Sequence, residues 1–169
     1  RVVSTNNSDI GIYVEGNNNT INNTTSSSNQ NGFLIGPGTY DVFIDNVAKS
    51  NSDYGLRLSS AENGTITENS FTNNVQGDVL AIDSVTTTVN ATINSMGVSF
   101  TGKDLLIKPT TITDSAGLGD YTSRSNLLDI SAVANDSWIQ LNVSYDQSEV
   151  GTESNLRIMH YSDSSWSVI

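Results

Sequence analysis

The residues of this sequence that are best suited to chemistry are its carboxylates. Asp45 and Glu68 lie in two similar segments, FIDN and TITEN, 23 residues apart. If these segments form adjacent strands, the two carboxylates could lie about 5 Å apart. A pair of this kind suits Ca²⁺ binding or the paired acids of a glycosidase.

A second acidic cluster consists of Asp146, Glu149 and Glu153, in a segment that we expect to be a loop between two strands. Loops of this kind bind Ca²⁺ in extracellular β-proteins, and just as often they carry solvated charge. The cluster is therefore a candidate calcium site, with solvated surface charge as the alternative interpretation.

Other catalytic constellations lack their residues. His160 is the only histidine, cysteine is absent and no nucleophile motif is recognisable, which argues against a Ser-His-Asp site and a zinc or copper site. A polysaccharide lyase would place a basic residue beside its calcium, and after Arg1 the first 95 residues contain only Lys49 and Arg57. We therefore predict no catalytic residue, no enzyme activity and no cofactor other than calcium, with polysaccharide degradation as the alternative.

The sequence contains eight Asn-x-Ser/Thr sequons, whereas random placement of its 21 asparagines and 43 serines and threonines gives about five. Sequons on turns or on outward strand faces can carry a glycan in an exported protein. The candidate glycosylation sites are Asn6, Asn18, Asn22, Asn23, Asn63, Asn90, Asn135 and Asn142.

Asparagine and glycine recur along the first half of the chain with a period near 22 residues. A period of this length indicates a solenoid, in which units stack because each is too small to bury its own apolar face. The series are Asn7, Asn29, Asn51 and Asn73; Asn23, Asn46 and Asn69; and Gly11, Gly32, Gly55 and Gly77.

The apolar runs between these residues are short and alternate with period two, as in GIYV and GLRL. This pattern is typical of strands rather than helices, and the units lack the leucines of a leucine-rich repeat. We predict an all-β fold that begins with a short parallel β-helix of about four 22-residue coils over residues 1–95. The asparagines are expected at left-handed turns and in a ladder of hydrogen bonds along the stack.

The composition changes after residue 95, where asparagine becomes rarer and longer alternating runs appear. In WIQLNVSY, Ile139 and Leu141 share one face while Gln140 and Asn142 share the other, which indicates a half-buried antiparallel strand. The last segment, LRIMHYSDSSWSVI, is typical of a hairpin. We predict a small immunoglobulin-like β-sandwich over residues 96–169.

The coils, especially GLRLSSAENGTITENSFTNN, resemble the right-handed parallel β-helix repeats of NosD-type and disaggregatase-type surface proteins. The segment from Ser137 to Val168 resembles the sandwich module that follows such repeats in secreted proteins of methanogenic archaea. The resemblance implies that the sandwich is incomplete at its C-terminal end, because relatives continue past the Trp-containing hairpin. It implies an architecture more than an activity, since the repeat is shared by lyases, hydrolases and structural adhesins.

The net charge of −11, from seven basic and 18 acidic residues, argues against nucleic acid and anionic membranes as partners. No membrane insertion is expected from this fragment. We predict an extracellular or cell-surface structural subunit, for example of a surface layer, sheath or filament, that assembles with copies of itself or other surface proteins through coil ends or sandwich edges. The alternative is a carbohydrate-active or carbohydrate-binding protein of the cell wall, which requires exposed aromatic residues such as Tyr13 and Tyr54.

Overall fold

The computed structural model describes residues 1–93, 96–110, 127–143, 159–162 and 165–168. These residues form nineteen β-strands and no helix, in agreement with the predicted all-β class. The strands are β1 (Val2–Thr5), β2 (Ile10–Val14), β3 (Thr20–Asn22), β4 (Thr24–Ser27), β5 (Asn31–Ile35), β6 (Gly38–Thr39), β7 (Val42–Ile44), β8 (Val47–Lys49), β9 (Tyr54–Ser59), β10 (Ala61–Thr67), β11 (Ser70–Thr72), β12 (Gly77–Ile82), β13 (Val85–Ile93), β14 (Met96–Lys103), β15 (Leu105–Thr110), β16 (Leu127–Ala132), β17 (Trp138–Val143), β18 (Met159–Ser162) and β19 (Ser165–Val168).

The first thirteen strands wind into stacked coils, in which strands at the same place of successive coils pair in parallel. Three faces result. The first face contains β2, β5, β9 and β12, the second contains β3, β7 and β10, and the third contains β1, β4, β8 and β11. β13 is longer and runs along two faces, because it pairs first with β10 and then with β11. The predicted stack of about four parallel coils is confirmed.

The core lies inside the stack and is built from columns of side chains in register. On the first face, Ile12, Phe33, Leu56 and Val79 form one column. On the second face, Phe43 follows Ile21, and its ring meets that of Phe33 edge to face with centroids 4.7 Å apart. Both phenylalanines are 1% exposed, so these two aromatic residues belong to the core.

Sharp corners separate the three faces. Among the described residues, fourteen non-glycine residues have positive φ, and six of them are asparagines, whose short polar side chain tolerates the left-handed backbone. At several corners the residue that follows points its side chain into the stack, as Asn51 does after Ser50 and Asn74 does after Asn73. At these corners a left-handed residue is therefore followed by a buried one.

The C-terminal end of the parallel stack is closed by strands that run in the opposite direction. β14 pairs antiparallel with β13, and β15 pairs antiparallel with β12. β17 then pairs with β14, and β16 pairs with β15, so two faces of the coil stack continue as antiparallel sheets. Unpaired edges of parallel strands would otherwise be open to other chains.

The side chains of these closing strands extend the core of the coils. Val98, Phe100, Leu105 and Ile107 are buried in the same apolar cluster as Phe33 and Leu56. In the described part of the chain, β14 and β15 therefore share one core with the coils, and the division into domains at residue 95 stays a prediction. β17 is antiparallel and turns Ile139 and Leu141 toward this core, as its sequence predicts. β18 and β19 form the predicted hairpin, while the immunoglobulin-like sandwich itself stays a prediction.

Candidate assembly surface

One asparagine ladder runs through the stack at the corner before the first face. The side-chain Oδ1 of Asn29 accepts a hydrogen bond from the backbone N–H of Asn7 at 2.8 Å. Asn51 accepts likewise from the N–H of Asn29 at 3.1 Å, and Asn74 from the N–H of Asn51 at 3.2 Å. Each side chain thus satisfies a backbone group of the preceding coil, and the ladder has a direction, from the C-terminal coil toward the N-terminal one.

We call each asparagine of such a ladder a rung. The sequence prediction placed the fourth rung one residue too early. Asn73 is exposed and has a φ of 57°, so it is the left-handed corner residue, and the buried rung is Asn74. The cause is coil length, because 22 residues separate Asn29 from Asn51 but 23 separate Asn51 from Asn74. A fixed period of 22 slips at this coil.

The second predicted series is corrected in the same way. Asn46 and Asn69 are buried rungs: Asn46 accepts from the N–H of Thr24 at 2.9 Å, and Asn69 accepts from the N–H of Asn46 at 2.8 Å. Asn23 is exposed and left-handed, with a φ of 50°, so Thr24 takes the rung position in that coil. Threonine donates its hydroxyl to the Asn22 carbonyl instead of extending the ladder.

The glycines of the first face leave room for the first ladder. A Cβ on Gly32 would lie 2.7 Å from the Asn51 Nδ2 and 2.6 Å from the Gly55 carbonyl oxygen. A Cβ on Gly11 would meet Asn29 at 2.4 Å, and one on Gly55 would meet Asn74 at 2.6 Å. Glycine is required at these three positions because the rung of the next coil occupies the space of a side chain.

Asp78, and not Gly77, takes the fourth place in this glycine series, since Gly77 pairs with Tyr54. Its side chain is fully buried, and one oxygen accepts a hydrogen bond from the Asn74 Nδ2 at 2.7 Å. Burial raises the pKa of Asp78, and the hydrogen bonds from Asn74 oppose this only partly. The carboxyl ends the ladder by filling the place that a further asparagine would take. The glycine pattern gave no signal for this residue.

A third, shorter ladder lies at the corner between the first and second faces. The Asp41 Oδ1 accepts from the Asn19 N–H at 2.7 Å, and Gly64 is the next residue in register. Because Gly64 has no side chain, no side-chain oxygen at this position can accept a hydrogen bond from the Asp41 N–H. A small pocket lies there, lined by Asp41, Glu62, Gly64, Thr65 and apolar residues. Among the described residues, the Asp41 Oδ2 has no hydrogen-bond partner although it is buried.

The first coil is an edge on three faces. Within the described part of the chain, β1, β2 and β3 each pair on one side only, with β4, β5 and β7. Val2 and Val3 are 59% and 58% exposed, and the core-facing Ile12 and Ile21 are only half-buried. We call β1, β2, β3 and the rungs Asn7 and Asn19 the first-coil edge. Within the described residues, it offers unpaired strand groups and partly exposed apolar side chains.

The predicted carboxylate pair lies on the surface. Asp45 and Glu68 are exposed, left-handed corner residues of adjacent coils, with φ of 51° and 55°. Their positions are equivalent, because the Asp45 N–H donates to the Thr67 carbonyl that precedes Glu68. Within the described residues, no group of three potential ligands that could hold a metal ion is present. Asp146, Glu149 and Glu153 lie outside the described residues, and for His160 only the backbone of β18 is described.

All eight sequon asparagines are exposed. Asn6, Asn18, Asn23, Asn63 and Asn90 are left-handed corner residues. Asn22 is the last residue of β3, Asn142 lies within β17, and Asn135 lies between β16 and β17. Of the two candidate tyrosines, Tyr13 is 52% exposed and Tyr54 is half-buried. The Tyr13 hydroxyl donates to Glu15 at 2.8 Å, which raises the pKa of the phenol.

Three-faced coils with internal ladders and parallel pairing define a β-solenoid protein. Residues 2–104 match the family model described as right handed beta helix region. The match covers 103 of the 169 residues, and the chain belongs to this family of right-handed β-helix repeat proteins. No curated protein and no solved structure matches the chain. Across the described residues, no helix is long and apolar enough to span a membrane.

Proposed function

We propose that this protein is a structural subunit of an extracellular or cell-surface assembly, and that it associates through the first-coil edge. The observation that carries the proposal is the one-sided pairing of β1, β2 and β3 in the chain of residues 1–169, whatever precedes these residues in a longer protein. Antiparallel strands cover the C-terminal end, whereas the first-coil edge leaves one side of three strands without a partner among the described residues. The NosD-type or disaggregatase-type origin in methanogenic archaea is part of the same proposal.

The chemistry of the first-coil edge supports association with a β-structured partner. Edge strands pair readily with other chains unless charge, proline or a covering segment protects them. β1 presents Val2 and Val3 to solvent without a charged side chain in the strand. The half-buried Ile12 and Ile21 would become core residues if a further layer of strands covered them.

The test measures self-association of the chain with residues 1–169. Sedimentation velocity over a concentration series should show dimers or larger species. Val3→Lys, which places a charge in the middle of β1, should weaken association at least tenfold. Val75→Lys is the matched control, because Val75 is 75% exposed but lies between β11 and β12, away from the first-coil edge. A monomer at the highest concentration, or an equal effect of both variants, would contradict the proposal.

A second candidate is binding or cleavage of cell-wall carbohydrate. Tyr13, which is exposed on the first face, favours it, because sugars stack on aromatic rings. Asp45 and Glu68 supply two carboxylates on adjacent coils. If this function holds, the double variant Asp45→Asn with Glu68→Gln should abolish release of reducing sugars from cell-wall polysaccharide, while self-association stays unchanged.

A further inference from the structure

Tyr40 occupies a corner position that is unfavourable for an aromatic residue. Among the described residues it is the only aromatic one of the fourteen non-glycine residues with positive φ, at 60°. A left-handed backbone is costly for a bulky side chain, and asparagine, aspartate or serine fills most of the other corners. Tyr40 is also 61% exposed, so burial does not offset this cost. Backbone strain at an exposed residue points to a role for its side chain outside the fold.

The neighbours of Tyr40 in the same corner are Asn18 in the coil before and Asn63 in the coil after. The Asn18 N–H donates to the Thr39 carbonyl at 3.0 Å, and the Tyr40 N–H donates to the Glu62 carbonyl at 3.1 Å, which sets the three residues in one row. Both asparagines are exposed and left-handed, with φ of 57° and 54°. Since coils are spaced by about 4.8 Å, each asparagine lies about one strand spacing from the tyrosine.

Both asparagines begin a sequon, with Thr20 and Thr65 as the third residues. In each sequon the middle residue, Asn19 or Gly64, follows the left-handed corner. Thr20 begins β3, and Thr65 lies in β10 together with Asn63. The acceptor amide is therefore on the same outer corner as the Tyr40 ring. An aromatic face can pack against the C–H face of a pyranose, as it packs against other apolar surfaces.

We propose that the row Asn18, Tyr40 and Asn63 is a carbohydrate site, in which a glycan attached to Asn18 or Asn63 lays its first sugar against the Tyr40 ring. In the attachment, the asparagine amide nitrogen forms a bond to C1 of the sugar. The bond from C1 to the phosphate oxygen of a lipid-linked donor breaks, its electron pair leaves with the lipid phosphate, and the amide releases one proton to the solvent. The inference rests on the extracellular location in the proposed function, but not on self-association.

The first experiment compares the stability of two forms of the full chain. In protein from the bacterial cytosol, which carries no glycan, Tyr40→Asn should raise the melting temperature by about 2–4 °C, because it relieves the left-handed strain. In protein secreted from a glycosylating yeast, the sign should reverse, because the variant loses the ring under the sugar. Tyr13→Ser is the matched control: its tyrosine is also exposed, but it lies in β2 without positive φ, so its effect should be equal in both forms.

The second experiment identifies the source of the sugar. Mass spectrometry of the secreted form gives the occupancy of Asn18 and Asn63, and nuclear magnetic resonance reports the Tyr40 ring protons. A shift of these protons only in the glycosylated form supports a linked glycan. A shift in the unglycosylated form on addition of N,N′-diacetylchitobiose supports binding of free carbohydrate. If neither addition nor attachment shifts the ring protons, and Tyr40→Asn has the same effect in both forms, the proposal is overturned.

Discussion

Replacement of Asn74 should destabilise the protein far more than replacement of its neighbour Asn73. Asn74 makes four side-chain hydrogen bonds: it accepts from the N–H and the Nδ2 of Asn51, and it donates to Ala48 and Asp78. Asn73 is exposed, and its contribution is the left-handed turn, with a φ of 57°. The two residues are adjacent and of one type, which makes them a matched pair.

The magnitude for Asn74→Ala follows from the groups that lose a partner. The Asn51 N–H and the Asp78 carboxyl are both buried, and each buried group without a partner costs about 1–3 kcal/mol. Water entry into the space left by the amide offsets part of this, whereas the loss of packing adds to it. We expect a loss of about 3–5 kcal/mol, against a total unfolding free energy of about 5–15 kcal/mol for a domain of ordinary stability.

Asn73→Ala should cost only about 1–2 kcal/mol, because alanine is strained in the left-handed conformation. Asn73→Gly should cost less than about 0.5 kcal/mol, since glycine adopts positive φ freely. Urea unfolding followed by circular dichroism measures all three free energies. The rung assignment is refuted if Asn73→Ala costs as much as Asn74→Ala, or if Asn74→Ala costs less than about 1 kcal/mol.

Three further variants test other parts of the corners. Asp78→Asn should raise the free energy of unfolding at pH 7. The pKa of Asp78 is higher in the folded protein than in the unfolded chain, so wild-type stability falls as the pH rises from the ordinary pKa of 3.8 toward the raised pKa. In thermal melts at several pH values, the difference in stability between the two proteins should vanish near pH 3. Each tenfold tightening of proton binding corresponds to about 1.4 kcal/mol. Gly64→Asn should stabilise the protein by about 1 kcal/mol, because the new side-chain oxygen can accept a hydrogen bond from the Asp41 N–H. A Cβ at this position would meet no atom closer than the Asp41 backbone oxygen at 3.6 Å. An unchanged urea midpoint would contradict this prediction. Gly32→Ala should cost at least about 2 kcal/mol from overpacking against Asn51, whereas Gly97→Ala, with no atom within 4 Å of the new Cβ, should be neutral in the same urea assay.

The period of the sequence predicts the coils well, because the physical requirement behind it is local. A corner needs a residue that tolerates positive φ and a rung that satisfies a buried N–H, and asparagine serves both purposes. For the same reason the sequence does not tell the two purposes apart. Asn73 and Asn74 are one residue type in adjacent positions, and the extra residue of that coil decides which one is buried.

The closing strands were harder to place from the sequence. Their alternation predicts antiparallel strands, which is confirmed for β14 and β17. The pattern gives the buried face of a strand but not the partner that covers it. The strand pairing in the structure supplies this information: Val79 pairs with Ile107 and Thr88 pairs with Phe100, which joins the closing strands to the coil stack and its core. Asp78 was missed because a buried carboxyl that replaces a glycine leaves no periodic signal.

The excess of sequons follows from the same corners. Five of the eight begin at left-handed asparagines, namely Asn6, Asn18, Asn23, Asn63 and Asn90. The third sequon residue comes two positions after the left-handed corner, and serine or threonine is common there. The ladder asparagines never begin a sequon, because their second neighbours are of other types. A solenoid with asparagine corners therefore generates sequons for structural reasons alone, and their number is weak evidence for glycosylation. An exposed tyrosine that is strained between two of them is an independent observation, which is why the row at Tyr40 is the place to test first.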